Sequence, residues 1–244
     1  MIVETFTHQE IYTSLRKAYK ILNDRAAAYL SHNFKKIHLL CQHGEYTRIF
    51  SGIIDNQRYT FKIVYGAIKN GNVAYGGNNL YTVFNYGNRK MLIKMYRYGS
   101  PDTHQYGIAY FTEHFMNRFC ERLQLCEANL PLLDKARLFD ENTDLRVHGS
   151  FDDNIINRYK SPSLKAPFLS KENLRIECEC FKNGDIAIVE HYDKVTVWRT
   201  YVTKEMLYDS QLNDPAYVCS VEKSFADRDT PADHEWIPKV HRKA

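Results

Sequence analysis

The sequence predicts an α+β protein in which antiparallel sheets pack against a few amphipathic helices. Three observations carry that expectation: a helical run opened by a capping box, two pairs of tyrosine-rich strand segments behind it, and an Asn-Gly hairpin late in the chain. With 44% hydrophobic and 25% charged residues, the 244-residue chain has the apolar material for a real core. That length suits one large domain or two small ones.

The first helix is marked by Thr7-x-x-Glu10, in which each side chain satisfies the other residue's unpaired backbone donor. Ile11, Leu15, Tyr19, Leu22, Ala26 and Leu30 then recur at three- and four-residue spacing, with Arg16, Lys17, Lys20 and Asp24 mostly on the other face, to about Ser31. From Tyr46 to Tyr98 the pattern is one of strands. Residues 46–54 and 58–65 flank Asp55-Asn56-Gln57, and 79–86 and 91–98 flank Gly87-Asn88. Gly76-Gly77-Asn78-Asn79 reads as a further turn, and no helix follows it to make a phosphate cradle.

Ser100-Pro101-Asp102 closes that region, and a helix is expected from Thr112 with Phe115, Met116, Phe119 and Leu123 on its apolar face. A short helix over 130–139 carries Pro131 in its first turn, where a missing N–H costs little. Residues 140–172 look like a long loop. A three-stranded meander follows, over 174–181, 185–192 and 194–202, turning through Asn183-Gly184. Thr203 reads as the N-cap of a helix ending near Leu212. The chain thus divides into 1–105 (helix and basic sheet), 106–212 (two helices, long loop, meander, final helix) and a polar tail over 213–244 anchored by Trp236.

No apolar run approaches the ~20 residues of a membrane helix, and the first residues lack the pattern of a signal peptide. The six cysteines show no framework spacing, so reduced thiols and a cytoplasmic setting are expected, with no membrane partner. Residues 1–100 carry 14 Lys and Arg against 5 Asp and Glu, together with 11 of the 18 tyrosines. Cations meet phosphates and rings stack on bases, so RNA or DNA contact through this front is one expectation. The competing reading is that tyrosine simply populates half-buried strands.

The sharpest constellation lies on the helix after Thr112. His114, Arg118, Glu121 and Arg122 fall at i, i+4, i+7 and i+8, on one face opposite the phenylalanines. A histidine can move a proton near neutrality, and arginines can hold a phosphate. The plainer reading is a solvated face with an Arg118–Glu121 ion pair. Other candidates are thinner. Cys178-Glu-Cys180 and His191 lack the paired ligands of a zinc site, Cys41-Gln-His43 lacks nucleophile–base geometry, and Asp152-Asp153 is a common loop start. There is no Walker loop, dinucleotide fingerprint or nucleophile elbow, and no cofactor or metal is expected.

Phe111-Thr-Glu-His114-Phe-Met-Asn-Arg118-Phe-Cys-Glu121-Arg122 resembles the His-x-x-x-Arg-x-x-Glu-Arg helix of small bacterial and phage-borne domains of the barnase/colicin/RelE-like ribonuclease superfamily. In that family the helix precedes an antiparallel meander ending in a Thr-containing strand, here Thr200-Tyr201-Val202. The resemblance covers about 106–212 and implies His114 as the proton-transfer residue, Arg118 and Arg122 as phosphate binders and Thr200 as the group that positions the phosphate. No metal is then needed, because RNA supplies its own 2′-hydroxyl. The chain is longer than a typical toxin and carries the 140–172 insertion. Two functions stand from the sequence: a non-catalytic nucleic-acid- or protein-binding factor of bacterial or phage type, and alternatively a metal-independent ribonuclease using His114, Arg118, Arg122 and Thr200.

Overall fold

The computed structural model describes residues 2, 6–67, 73–98, 105–125, 130–142, 145–149, 174–181, 183–192, 195–215 and 217–218. Helix α1 (His8–His32) starts where the Thr7 hydroxyl accepts from the Glu10 amide and the Glu10 carboxylate accepts from the Thr7 amide at 2.7 Å. Its apolar stripe of Ile11, Leu15, Ala18, Leu22, Ala26 and Leu30 is fully buried. The run stops at Asn33, whose side chain donates to the Tyr29 carbonyl, and α2 (Phe34–Cys41) follows at once. Helix α2 has no sequence signature, because only Ile37 and Cys41 of its eight residues are buried, too few to show a period.

Five strands follow: β1 (Tyr46–Ile54), β2 (Gln57–Ala67), β3 (Val73–Tyr86), β4 (Arg89–Tyr98) and β5 (Gln105–Thr112), each antiparallel to its predecessor. The β1–β2 turn is tighter than expected: Asp55 and Asn56 alone supply it, both at positive φ, and Gln57 already pairs with Ile54. Gly76 to Asn79 is no separate turn. It lies inside β3, where the register shifts between Lys62 and Val64 of β2, so the glycine–asparagine chemistry serves a bulge.

Helices α3 (Glu113–Arg122) and α4 (Leu132–Asn142) lead to β6 (Leu145–Gly149), a strand within the segment expected to be loop. Then come β7 (Leu174–Phe181), β8 (Ile186–Tyr192) and β9 (Val195–Val202), again antiparallel neighbours. The helix expected from Thr203 to Leu212 is broken: a 3-10 turn over Lys204–Met206 and a short α5 (Asp209–Leu212) flank an extended Leu207. Asp185 accepts from the Lys204 amide at 2.8 Å, the role expected of the Thr203 side chain.

The two meanders are one sheet, ordered β1-β2-β3-β4-β5-β9-β8-β7-β6. They join through the parallel pair β5–β9, from Ile108↔Val195 to Phe111↔Trp198. Alternate residues of each strand therefore serve opposite faces. On one face Phe61, Ile63, Ile93 and Tyr110 pack under α1 and α2. On the other, Leu92, Phe111, Trp198 and Tyr201 pack under α3 and α4 through Phe115, Phe119 and Phe139. Farther along the first face Cys178, Cys180, Ile186 and Ile188 are covered by Tyr217, which lies within the segment read as a polar tail yet is 4% exposed. The rest of that segment, including Trp236, and the pair Asp152-Asp153 lie outside the described residues. No helix is long and apolar enough to cross a membrane among the described residues.

Candidate functional site on the α3–β9 face

Thr112 ends β5 in extended geometry and caps α3, accepting from the Phe115 amide at 3.1 Å. Its hydroxyl also lies 3.0 Å from the Arg199 carbonyl and 3.2 Å from that of Trp198, so the cap is tied to β9 as well as to its own helix. Burial of Phe115, Met116, Phe119 and Cys120 then fixes the helix's rotation and leaves His114 and Asn117 exposed. The four-residue step places Arg118 and Arg122 on the same side, both half-buried.

Strand β9 meets this face at an irregularity. Ile188 pairs with Thr200 but Val189 pairs with Trp198, so Arg199 is an extra residue and turns to Glu190 at 3.0 Å. Thr200, 86 residues from His114 in sequence, is thereby brought so that its Oγ1 lies 3.4 Å from the imidazole Nε2. Arg122 donates to the Tyr201 carbonyl, which pins the end of α3 to the next residue of β9. Arg118 pairs with Glu121 at 2.9 Å in a side chain that is 41% exposed. That pair is screened by solvent and weak enough for an incoming anion to displace.

Burial lowers the pKa of His114, and Arg118 and Arg122 push it in the same direction against a smaller opposing effect of Glu121. At neutral pH the imidazole is therefore a neutral proton acceptor beside two cations. Asn117 accepts from Lys135 of α4 at 2.7 Å, and that lysine is only 4% exposed. Tyr201 donates to Asp185, whose second oxygen holds the Lys204 amide, so the strand end behind Thr200 is itself braced.

The other residues singled out in the sequence are placed apart from this face. Cys178 and Cys180 point into the core under Tyr217, and burial pushes each thiol up to about 12. His191 lies farther along the sheet on β8, 3.3 Å from Glu177 and 3.5 Å from Thr196. Among the described residues no group of three or more His, Cys, Asp or Glu is disposed to hold a metal ion. Cys41 is buried, and that burial raises its thiol pKa, which disfavours the thiolate a nucleophile needs. Among the described residues, Cys41, Cys120, Cys178 and Cys180 form no disulfide.

The basic front is dispersed. Lys17 pairs with Asp55 at 2.7 Å, Arg48 lies 3.9 Å over the Tyr29 ring, and Arg16 lies 4.4 Å over Tyr106. Tyr19, Tyr59, Tyr65 and Tyr81 are buried in the core and so are not platforms for bases. A further charged cluster has no sequence signature: Asp140 of α4, 6% exposed, accepts from Lys94 at 2.9 Å and from Tyr81, with Lys62 at 3.8 Å. Its members come from four separate elements, so no local spacing could have revealed it. No family model matches the chain, and no curated protein or solved structure matches it.

Proposed function

We propose that the α3–β9 face binds a phosphodiester of a nucleic acid. The observation that carries this reading is that His114 meets the hydroxyl of Thr200 from a distant strand, on the helical face that also carries Arg118 and Arg122. A guanidinium in a weak exposed pair, a second near the strand end and a hydroxyl together suit a tetrahedral anion. Fluorescence anisotropy with labelled RNA and DNA oligonucleotides tests it. Binding should weaken steeply between about 50 and 200 mM salt, as counterion release requires, and Arg118→Ala should weaken it further. Binding that is absent at low salt, or indifferent to salt, refutes the reading.

The His114–Thr200 contact favours a second, sharper reading: metal-independent RNA cleavage. In this scheme neutral His114 takes the proton of the 2′-hydroxyl, whose oxygen attacks phosphorus, while Thr200 and the two arginines hold the phosphate and its developing charge. The bond to the 5′-oxygen breaks, that oxygen takes a proton from solvent, and a 2′,3′-cyclic phosphate remains. The rate should rise with pH as His114 loses its proton, with a midpoint below the ordinary 6.5 because its pKa is lowered. Cleavage of RNA but not of 2′-deoxy substrate, giving cyclic-phosphate ends, is the expected result. Intact RNA across varied sequences, ribosome-bound messenger included, leaves only the binding reading.

A further inference from the structure

Seven large apolar side chains are exposed among the described residues, and two of them stand on the strand at one edge of the sheet. Ile49 (41%) and Ile53 (73%) stand on β1, and Leu39 (59%) and Leu40 (41%) stand on α2, which packs across β1, β2 and β3. Among the described residues strand β1 is an end strand, and its pairing with β2 runs unbroken for nine residues, so its outer side presents a regular row of backbone donors and acceptors. Edges of this kind are ordinarily blunted by lysine, proline, a bulge or short length. Tyr46–Ile54 has no lysine, proline or bulge and is nine residues long. Its one charge, Arg48, is turned toward α1, where it donates to the Tyr29 hydroxyl at 2.8 Å.

We propose that this edge is a homodimer interface, in which β1 of two copies pairs antiparallel about a two-fold axis and carries the sheet from one subunit into the next. Backbone edge groups in register are matched by another extended strand, and a two-fold axis sets each β1 residue against one of the same nine. Self-pairing therefore requires that the presented row carry no like charges. Thr47, Ile49, Ser51 and Ile53, the exposed residues of β1, meet that requirement. Antiparallel pairing keeps faces, so the isoleucines of both copies share one face of the seam. The opposite end strand, β6, has only five residues, and joining β1 to it would extend an open filament, whereas β1 with β1 closes.

Sedimentation equilibrium of the full chain, with hydrogen exchange at two concentrations, tests this. A dimer is expected at micromolar concentration, with β1 amides that lose protection on dilution. The pair Ile49→Lys and Ile53→Lys replaces exposed side chains, so circular dichroism should be unchanged while association weakens about tenfold or more. A wild type that stays monomeric at about 100 µM overturns the proposal, and so does a dimer indifferent to the two lysines. Amides of β1 protected equally at every concentration point instead to pairing within one chain, by residues such as 219–244, and overturn it too. None of these outcomes depends on nucleic-acid binding.

Discussion

Helices α1 and α3 begin in the same way and end in different roles. Each is capped by a threonine in extended geometry, Thr7 at φ −68° and Thr112 at φ −66°. The Thr7 cap is closed on itself by Glu10 and is exposed. The Thr112 cap reaches out to carbonyls of β9. Behind the first cap lies a long helix whose stripe only seals one face of the sheet. Behind the second lies a ten-residue helix that buries one side and presents a histidine and two arginines on the other. A cap that is only local makes a helix, while a cap shared with a distant strand also fixes where the helix's outer face points.

The largest expected effect separates those two sides of α3. His114→Ala should lower RNA cleavage by roughly 10²–10⁴-fold, the range for a proton-transfer group, with the melting temperature little changed because the residue is exposed. Phe115→Ala should do the reverse. Phe115 is fully buried against Phe111, Phe139, Trp198 and Tyr201, so urea unfolding should show a loss of about 3–5 kcal/mol.

The caps themselves come next. Thr7→Ala should cost about 1 kcal/mol in chemical denaturation and leave His114 untouched. Thr112→Asp keeps a good cap but cannot donate to the Trp198 and Arg199 carbonyls. It should let the start of α3 rise from β9, so that the His114 pKa, followed by NMR, climbs back toward 6.5, whereas Thr112→Ser should leave it low. If Thr112→Asp and Thr7→Ala behave alike, the distinction between the caps fails.

The smallest effect is on stability with pH. The folded-state pKa of His114 is depressed, so the unfolded chain holds the proton more tightly. Its contribution is full above 6.5 and is lost as the pH falls through that value toward the folded one. The urea midpoint of wild type should therefore drop slightly more than that of His114→Asn between about pH 7.5 and 5.

What the sequence revealed follows the same division between local and distant. The Thr7–Glu10 box, the α1 stripe and the Asn183-Gly184 hairpin are written in neighbouring residues, and each is present in the structure. Strand β5 has no alternation to announce it, because it is buried on both faces from Gly107 to Phe111 and is a continuous apolar run. The union of the meanders rests on that strand and β9, whose pairing spans nearly ninety residues and leaves no local pattern. At the candidate site, the spacing of His114, Arg118 and Arg122 is legible on a helical wheel. The Thr112 link to β9 and the extra residue Arg199 that sets Thr200 in place are tertiary facts with no signature in either segment.

The parallel seam between β5 and β9 also sets an order of events during synthesis. Strand β5 is complete when residue 112 has been made, but its partner is not complete until residue 202. At about 5–20 residues per second that interval is roughly 5–20 s. Through it, the nascent chain holds a first meander whose last strand, Ile108 to Phe111, has an unpaired side among the most apolar segments of the sheet. A cell making this protein must keep that edge from neighbouring chains for as long as the ribosome takes to deliver β9, which makes translation speed across residues 113–202 a determinant of yield.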